Sequence, residues 1–436
     1  MNQQFHAKIE SMAFKGYGVA RIEGKVVFIP FSATGDEGWI ELVEEKKNYA
    51  MGRLKKLTQS SPWRVDPPCP YFGVCGGCQW QHIDYSFHGE IKKGIFEEIL
   101  HRLGRVKEAP IIQVIPSPDS YGYRVRAQLR VKNGRMGYYR ERSHQLVDID
   151  RCQISHSLIN QIILSLRKEL SSFPPLKEIE INVSPEEEKG GLVVHLHSSS
   201  RGRKHFAESL LQSCPVLKGV AVIQEGRLTL SGDPLLHYTI YSNRHGRMQT
   251  LRLRTSPESF YQVNPDQNQT LLETVLEFAE LKREERVLDL YAGIGNLTLP
   301  LAAQALEVWG IEENRAAVKD ARFNAEGNGI ERCGFIQGQV ENGLIRWEKD
   351  GFDLIVLDPP RTGCRRIVDR VSALNPKRII YVSCEPTTFA RDVSLFSEKG
   401  FELRRVTLID MFPQSYHMEV VGLLTKNSKS QILNSK

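Results

Sequence analysis

The sequence predicts a multidomain α/β protein: an OB-like β-barrel at the N-terminus, an α/β central domain, and a Rossmann-like domain at the C-terminus. Three observations carry this reading. A chain of 436 residues exceeds what a single hydrophobic core supports. Residues 1–58 break into short strands at glycine turns, the signature of a small β-domain. From Ser259 onward, buried apolar strands alternate with helical stretches, as in a parallel sheet. Hydrophobic content of 41% and charged content of 25% are ordinary for a globular protein. No apolar run reaches membrane-spanning length, and Met1–His6 lacks the basic-then-apolar pattern of a signal. A cytoplasmic protein with no membrane partner is expected. Eight cysteines in such a chain point to metal or catalytic roles rather than disulfides.

In the N-terminal segment, residues 16–21 and 25–30 read as strands joined at Glu23-Gly24. A third strand covers residues 39–43, and Lys46, Lys47, Arg53, Lys55 and Lys56 follow. Five short strands fit an OB-type barrel, a common RNA-binding module. On pattern alone, a solvated β-domain without a ligand fits as well. The stretch resembles a TRAM domain, and that resemblance implies RNA binding.

Cys69, Cys75 and Cys78 follow in Cys-x5-Cys-x2-Cys spacing, with Gly76-Gly77 allowing a tight turn. Three clustered thiols leave a four-ligand site one short, and Cys152 is the fourth candidate. A zinc site and an iron–sulfur cluster both accept four thiolates, so spacing leaves both open. Residues 88–104 read as a helix with Ile91, Ile95, Ile99 and Leu103 on one face and Gly104 as the stop. Asn133-Gly134 predicts a hairpin turn. Residues 121–151 hold eight Arg or Lys against three acids, most of the chain's net charge of +6. Arg124, Arg126, Arg130 and Lys132 share one strand face by period two, with tyrosines between them. That is a candidate phosphate-contacting surface; a merely solvated sheet face is the alternative. Helices over 156–171 and 203–213, and strands over 177–183, 192–198, 218–224, 236–241 and 248–254, complete a central domain set at 59–258. Residues around 91–120 are expected to pack on the C-terminal domain.

The domain from 259 to 436 carries the chemistry. Residues 286–300 read as a strand, a Gly-x-Gly turn and a helix; the turn lacks the third glycine of a dinucleotide fingerprint. A second strand, 308–312, ends in Glu312, placed to accept two ribose hydroxyls. A third, 353–358, ends in Asp358-Pro359-Pro360-Arg361, and a fourth, 379–384, ends in Ser383-Cys384. Asp289, Glu312 and the Asp-Pro-Pro strand together favour S-adenosylmethionine. A thiol at a sheet's carboxyl edge is where α/β proteins place reacting groups, and the loop from Asp410 brings another carboxylate, Glu419, to the same region. The tail from about Thr425 is polar and expected to fray.

Taken together, these residues resemble the TrmA-type family of RNA uracil-C5 methyltransferases over nearly the whole chain. The likeness is nearest to the TRAM-containing, [4Fe-4S] branch acting on 23S ribosomal RNA. It implies Cys384 as nucleophile and Glu419 as proton-abstracting base. Gln262, Tyr291, Asn296, Glu312, Gln339 and Asp358 fall at S-adenosylmethionine-binding positions, and Cys69, Cys75, Cys78 and Cys152 at the cluster ligands. It further implies a 23S ribosomal RNA substrate, with transfer RNA as the alternative, and a monomer. Glu385 and Gln339 depart from the residues common in relatives, and neither removes a reacting group. The assignment also answers a chemical need. Uracil C5 is a weak nucleophile until a thiolate adds at C6, and a base must then remove the C5 proton. The target base must leave the stack, with Phe260 as a stacking candidate.

Four other readings compete. A methylthio-transferring radical enzyme would need Cys-x3-Cys-x2-Cys. An amino-group methyltransferase often has an aromatic after Asp-Pro-Pro, where Arg361 stands. A cytosine-C5 enzyme using Cys364 would not need Glu419. A catalytically inactive RNA-binding protein is opposed by the presence of Cys384, Asp358 and Glu419 together.

Overall fold

The computed structural model describes residues 4–106, 111–197, 203–244, 247–347 and 351–426. Three sheets and one ribbon organise them. The N-terminal sheet comprises β1 (Gln4–Lys8), β2 (Ser11–Ala13), β3 (Tyr17–Ile22), β4 (Lys25–Ile29), β5 (Glu37–Glu45) and β6 (Tyr49–Gln59). Its order is β1-β5-β6-β4-β3-β2. Only Ile9 and Glu10 separate β1 from β2, and their N–H groups donate to Asp36 O and Val19 O, so the two act as one bent strand that pairs β5 at one end and β3 at the other, in the closed five-strand arrangement of an OB-type barrel. It has its own small core around Ile9, Ala20, Val27, Ile29 and Ile40.

Past the cysteine loop come α1 (His88–Gly104) and β7 (Ile111–Ile115). Ile91, Ile95, Phe96, Ile99 and Leu100 are buried in the core of the C-terminal domain. At about 1.5–3 kcal/mol for each fully buried large apolar side chain, this face holds α1 in place. Leu103, expected on it, is 47% exposed; the stripe drifts from 91–95–99 to Leu100, because a helix repeats every 3.6 residues rather than every four.

The central sheet is built from β8 (Arg126–Lys132), β9 (Arg135–Tyr139), β10 (Leu146–Asp148), β11 (Leu176–Ser184), β12 (Lys189–Leu196), β13 (Leu217–Gln224) and β14 (Arg227–Gly232), with α2 (Ser157–Glu169) and α3 (Arg203–Ser213) between strands. The order is β10-β9-β8-β11-β12-β13-β14. The β8–β9 turn has Asn133 and Gly134 both at positive φ, 52° and 67°, as the Asn-Gly signal requires. β15 (Leu236–Arg244) and β16 (Arg247–Thr255) form a separate antiparallel ribbon.

The C-terminal domain runs α4 (Pro265–Ala279), β17 (Arg286–Leu290), α5 (Thr298–Ala302), β18 (Glu307–Glu312), α6 (Arg315–Gly327), β19 (Cys333–Gln337), α7 (Val340–Gly343), β20 (Leu354–Leu357), α8 (Val368–Ala373), β21 (Arg378–Ser383), α9 (Pro386–Glu398), β22 (Phe401–Ile409) and β23 (Glu419–Lys426). Its eight-stranded sheet has the order β19-β18-β17-β20-β21-β23-β22-β7. Strands β17 to β21 are mutually parallel, whereas β23 is antiparallel to both neighbours. The eighth strand, β7, lies parallel to β22, and α1 packs on α9 with Phe96 against Phe389. The sheet therefore includes residues from before the central domain. β23 continues through Lys426; the polar tail beyond it lies outside the described residues. No helix among the described residues is long and apolar enough to cross a membrane.

Candidate active site

Strand order reverses between β17 and β20, and a crevice at the carboxyl ends of strands at such a switch point is where α/β sheets bind ligands. A cleft of about 1050 Å³ opens there. Gln262, Tyr291, Glu312, Gln339, Asp358, Cys384 and Glu419 all line it. Asn296 does not: it exchanges hydrogen bonds with Asn268 at 2.8 and 3.0 Å, pinning the glycine turn to α4. Asp289 is buried beneath the cleft, accepting from Thr298 Oγ1 at 2.5 Å.

Backbone geometry sets the half of the cleft around Glu312. Tyr291 and Gly293 both have positive φ, 70° and 55°, turning the chain sharply after β17. This aims the Gly293 N–H at Glu312 Oε2, 3.0 Å away, while Asn314 N–H donates to Oε1 at 2.7 Å. The Glu312 carboxylate is thus fixed in direction and keeps acceptor capacity for a diol.

At the other end, Cys384 sits between β21 and α9, and Glu419 is the first residue of β23. β23 pairs with β21, so the two strands bring thiol and carboxyl to the same rim. Burial first, then the Glu419 charge, pushes the Cys384 thiol up to about 12. Burial and the charge of Asp358 raise the Glu419 carboxyl well above the usual carboxylate range. Burial and Glu312 push Asp358 up to about 7. One cation opposes this: Arg361 hydrogen-bonds the Cys384 sulfur and lowers both groups. The sequence reading used Arg361 only to weigh one alternative. Its place straight after Asp-Pro-Pro, on the loop beside Cys384, is the signal that could have found it. That loop is itself held by α9. Arg391 Nη2 donates to Thr362 O, Thr388 Oγ1 donates to Arg361 O, and Cys364 N–H donates to Asp392 Oδ2. Gly363 has φ +75°, and a Cβ there would lie 2.3 Å from Asp392. Cys364 is 2% exposed and its thiol is raised far up by burial and Asp392, which makes it a poor rival nucleophile.

The loop carrying Glu419 is anchored from several directions. Lys92, fully buried on α1, donates to Asp410 Oδ1 at 2.6 Å and to His417 O at 2.7 Å. Tyr85 OH donates to Asp410 Oδ2, and Tyr123 OH to Pro413 O. Backbone N–H groups of Gln79 and Trp80 both donate to Gln414 O, at 3.0 and 3.1 Å. The cysteine loop is therefore a direct support of the loop leading to Glu419, despite its distance in sequence.

Cys69, Cys75, Cys78 and Cys152 line one cavity of about 270 Å³. Among the described residues, no group of three or more Cys, His, Asp or Glu side chains is placed to hold a metal ion, so the expected metal centre is not formed by the side chains as they stand. Burial is the main force pushing the Cys75 and Cys78 thiols up, to about 11 and about 12. Cys152 precedes α2 by a turn, and Asn160 brackets its backbone from both sides. Gly76 serves a close approach rather than a left-handed turn: its N–H donates to Tyr139 O, and a Cβ would lie 2.9 Å from that oxygen.

The basic face is only partly free. Arg124, Arg126, Arg130 and Lys132 alternate with buried positions as expected. β11, however, brings Glu180 against Arg126 and Glu178 against Arg130, offsetting a charge excess counted within one segment. Arg126 also lies 5.2 Å from the ring of Phe260, which is 56% exposed at the cleft's edge.

A Rossmann-like sheet with an acid at the end of its second strand, and a thiol and a carboxyl on one rim of the same cleft, has the layout of a methyltransferase-type site. The tRNA (Uracil-5-)-methyltransferase family matches residues 240–427. An uncharacterized RNA methyltransferase of Aquifex aeolicus is 35% identical over 421 residues, covering 95% of this chain and 97% of its own. One from Halalkalibacterium halodurans is 32% identical over 97% of each chain. Among solved structures, the Pyrococcus abyssi tRNA (uracil-54, C5)-methyltransferase, in complex with S-adenosyl-L-homocysteine, superposes with a TM-score of 0.75 at 25% identity, covering 97% of this chain and 100% of that one. The chain belongs to the tRNA (uracil-5-)-methyltransferase family of RNA-modifying enzymes.

Proposed function

We propose that this protein methylates C5 of a uridine in RNA, with S-adenosylmethionine as donor. The observation that carries the reading is the shared rim: Cys384, Glu419 and Arg361 interact with one another beside a cleft whose far wall carries Glu312. Glu312 accepts the ribose hydroxyls of the donor, and Tyr291, Gln262 and Gln339 enclose the rest of it. When bound, the donor supplies an electrophilic methyl group on a sulfonium.

Cys384, ionised with help from Arg361, adds its sulfur to uracil C6. The C5=C6 electron pair moves toward O4, and C5 becomes nucleophilic enough to take the methyl group. The Glu419 carboxylate then accepts the C5 proton. The C5–H pair re-forms C5=C6, the C6–S bond breaks, and the thiolate leaves. Phe260 offers its exposed face to the extruded base.

The experiment is a denaturing gel. Cys384→Ala should form no RNA–protein adduct and no product. Glu419→Gln should accumulate methylated RNA bound to the enzyme, because an amide cannot take the proton. RNA containing 5-fluorouridine should trap the wild type in the same way. An adduct in Cys384→Ala would remove Cys384 from its role, and no adduct with either trap would end the covalent scheme.

For the substrate we propose 23S ribosomal RNA, supported by the N-terminal β-domain and four-cysteine cavity that the resembled branch combines. Transfer RNA is the second reading, favoured by the likeness to the Pyrococcus abyssi enzyme. Mapping 5-methyluridine in both RNAs from cells lacking the protein separates them. We also propose that the four thiols hold a [4Fe-4S] cluster. The reading is supported by four thiols on the wall of one 270 Å³ cavity, a space suited to a polynuclear centre rather than a single ion.

A further inference from the structure

Beside the cleft lies a second concavity of about 720 Å³, within the roughly 300–1,000 Å³ of ligand pockets. Four parts of the chain meet in it: the turn after β2, the cysteine loop at Gly76, Gly77 and Gln79, the β9–β10 connection, and the loop that leads to Glu419. Lys15, Arg140 and Arg142 supply positive charge against one carboxylate, Glu141, which accepts from Tyr17 OH at 2.7 Å. Lys15 and Arg140 make no ion pair among the described residues. Arg142 lies 5.2 Å from the Tyr17 ring, and Tyr139 stands 36% exposed with His144 edge-on to it. The inner wall is Tyr416 and His417, whose rings lie 4.2 Å apart.

Two features tie this groove to the reaction. His417 is two residues from Glu419, and Phe412 of the same loop lines the cleft, so the loop is a partition with the reacting groups on one side and the groove on the other. The ring nitrogens of His417 have no hydrogen-bond partner among the described residues. Burial and the cations Arg361, Lys92 and Arg124 hold its imidazole neutral, lowered to about 3. A neutral imidazole carries one donor and one acceptor, the pair needed to read a base edge.

A base drawn into the cleft leaves neighbours that are unstacked and need new surfaces, and aromatic side chains with nearby cations are what single-stranded RNA uses. We propose that the groove formed by Lys15, Tyr17, Tyr139, Arg142, Tyr416 and His417 is a nucleotide subsite that holds an RNA residue flanking the target uridine, stacked on Tyr139 and read by His417. It rests on the uracil-methylation reading and adds a determinant of sequence context.

The test uses the full chain, tritiated S-adenosylmethionine and RNA from cells lacking the protein. Replacing Tyr139 and Arg142 together by Ala should raise KM for RNA about tenfold or more, with KM for S-adenosylmethionine unchanged. Tyr139→Phe should keep the wild-type KM for RNA. An abasic ribose is then placed at each flanking position of a synthetic fragment around the mapped uridine. At one position it should raise the wild-type KM to that of the double variant and add nothing in the double variant. An unchanged KM in the double variant, an altered KM for S-adenosylmethionine, or no abasic position of that kind overturns the subsite while wild-type methylation stands. A wild type that methylates none of these RNAs overturns the uracil reading and the subsite with it.

Discussion

Arg361 is the cation that opposes burial at both Cys384 and Glu419. Cys384 and Glu419 both sit where burial favours their protonated forms, yet the proposed chemistry uses both ionised, so kcat/KM should rise with pH through neutrality. Removing the cation in Arg361→Gln should move that limb to higher pH and lower kcat/KM about 10–100-fold, the value of one charge-assisted hydrogen bond. Rate–pH profiles of the two proteins check this, and an unmoved limb would show that Arg361 acts on neither group. Stability should run the opposite way. A carboxyl whose folded value is raised stabilises the fold at low pH and loses that contribution as pH rises through the folded value; for Asp358 this is about 7. Glu419→Gln, with no charge to bury, should melt higher than wild type at pH 8, by about 2–4 °C for each kcal/mol recovered. Cys384 was legible at the end of an apolar strand, and Glu419 at the end of a polar loop, where it opens β23. Asn296 stands back from the cleft lining because its amide is paired with Asn268 of another element.

Elements with strong local signals matched their expected bounds. Helix α1 spans 88–104 and α3 spans 203–213, each set by its own periodicity. Strands β1 and β2 escaped notice, being short and half exposed. The cysteine loop teaches more. It lies far in sequence from Glu419, yet its backbone N–H groups hold Gln414 O, five residues from Glu419. Protein purified without oxygen should be brown, with about four irons per chain. Cys78→Ala should lose the iron and also slow adduct formation on 5-fluorouridine RNA, although Cys78 does not line the cleft. Stoichiometric zinc would exclude the cluster, and an unaffected adduct rate would mean that the two loops merely touch.

At the scale of the whole molecule, the catalytic sheet is discontinuous in the chain. The sequence suggested a boundary near 259 with residues around 91–120 packing on the C-terminal domain, and β7 and α1 go further: they supply a strand of its sheet and a helix on its flank. The pairing of β7 with β22 joins segments too far apart for any local pattern to show. A fragment 259–436 would expose the α9 face that Phe96 covers and leave the β22 edge unpaired, an aggregation hazard. It should be insoluble, whereas the same fragment preceded by residues 84–117 through a flexible linker should be soluble and bind S-adenosylhomocysteine. Sedimentation and calorimetry decide, and a soluble, binding-competent 259–436 would make the eighth strand dispensable. Order of synthesis adds a further consequence. Helix α1 and strand β7 leave the ribosome before their later partners α9 and β22 exist, and β22 is almost the last strand made. At roughly 5–20 residues per second, the apolar stripe of α1 waits on the order of tens of seconds for its cover. The newborn chain thus carries a partly uncovered hydrophobic surface through most of its own translation, until its final strands arrive.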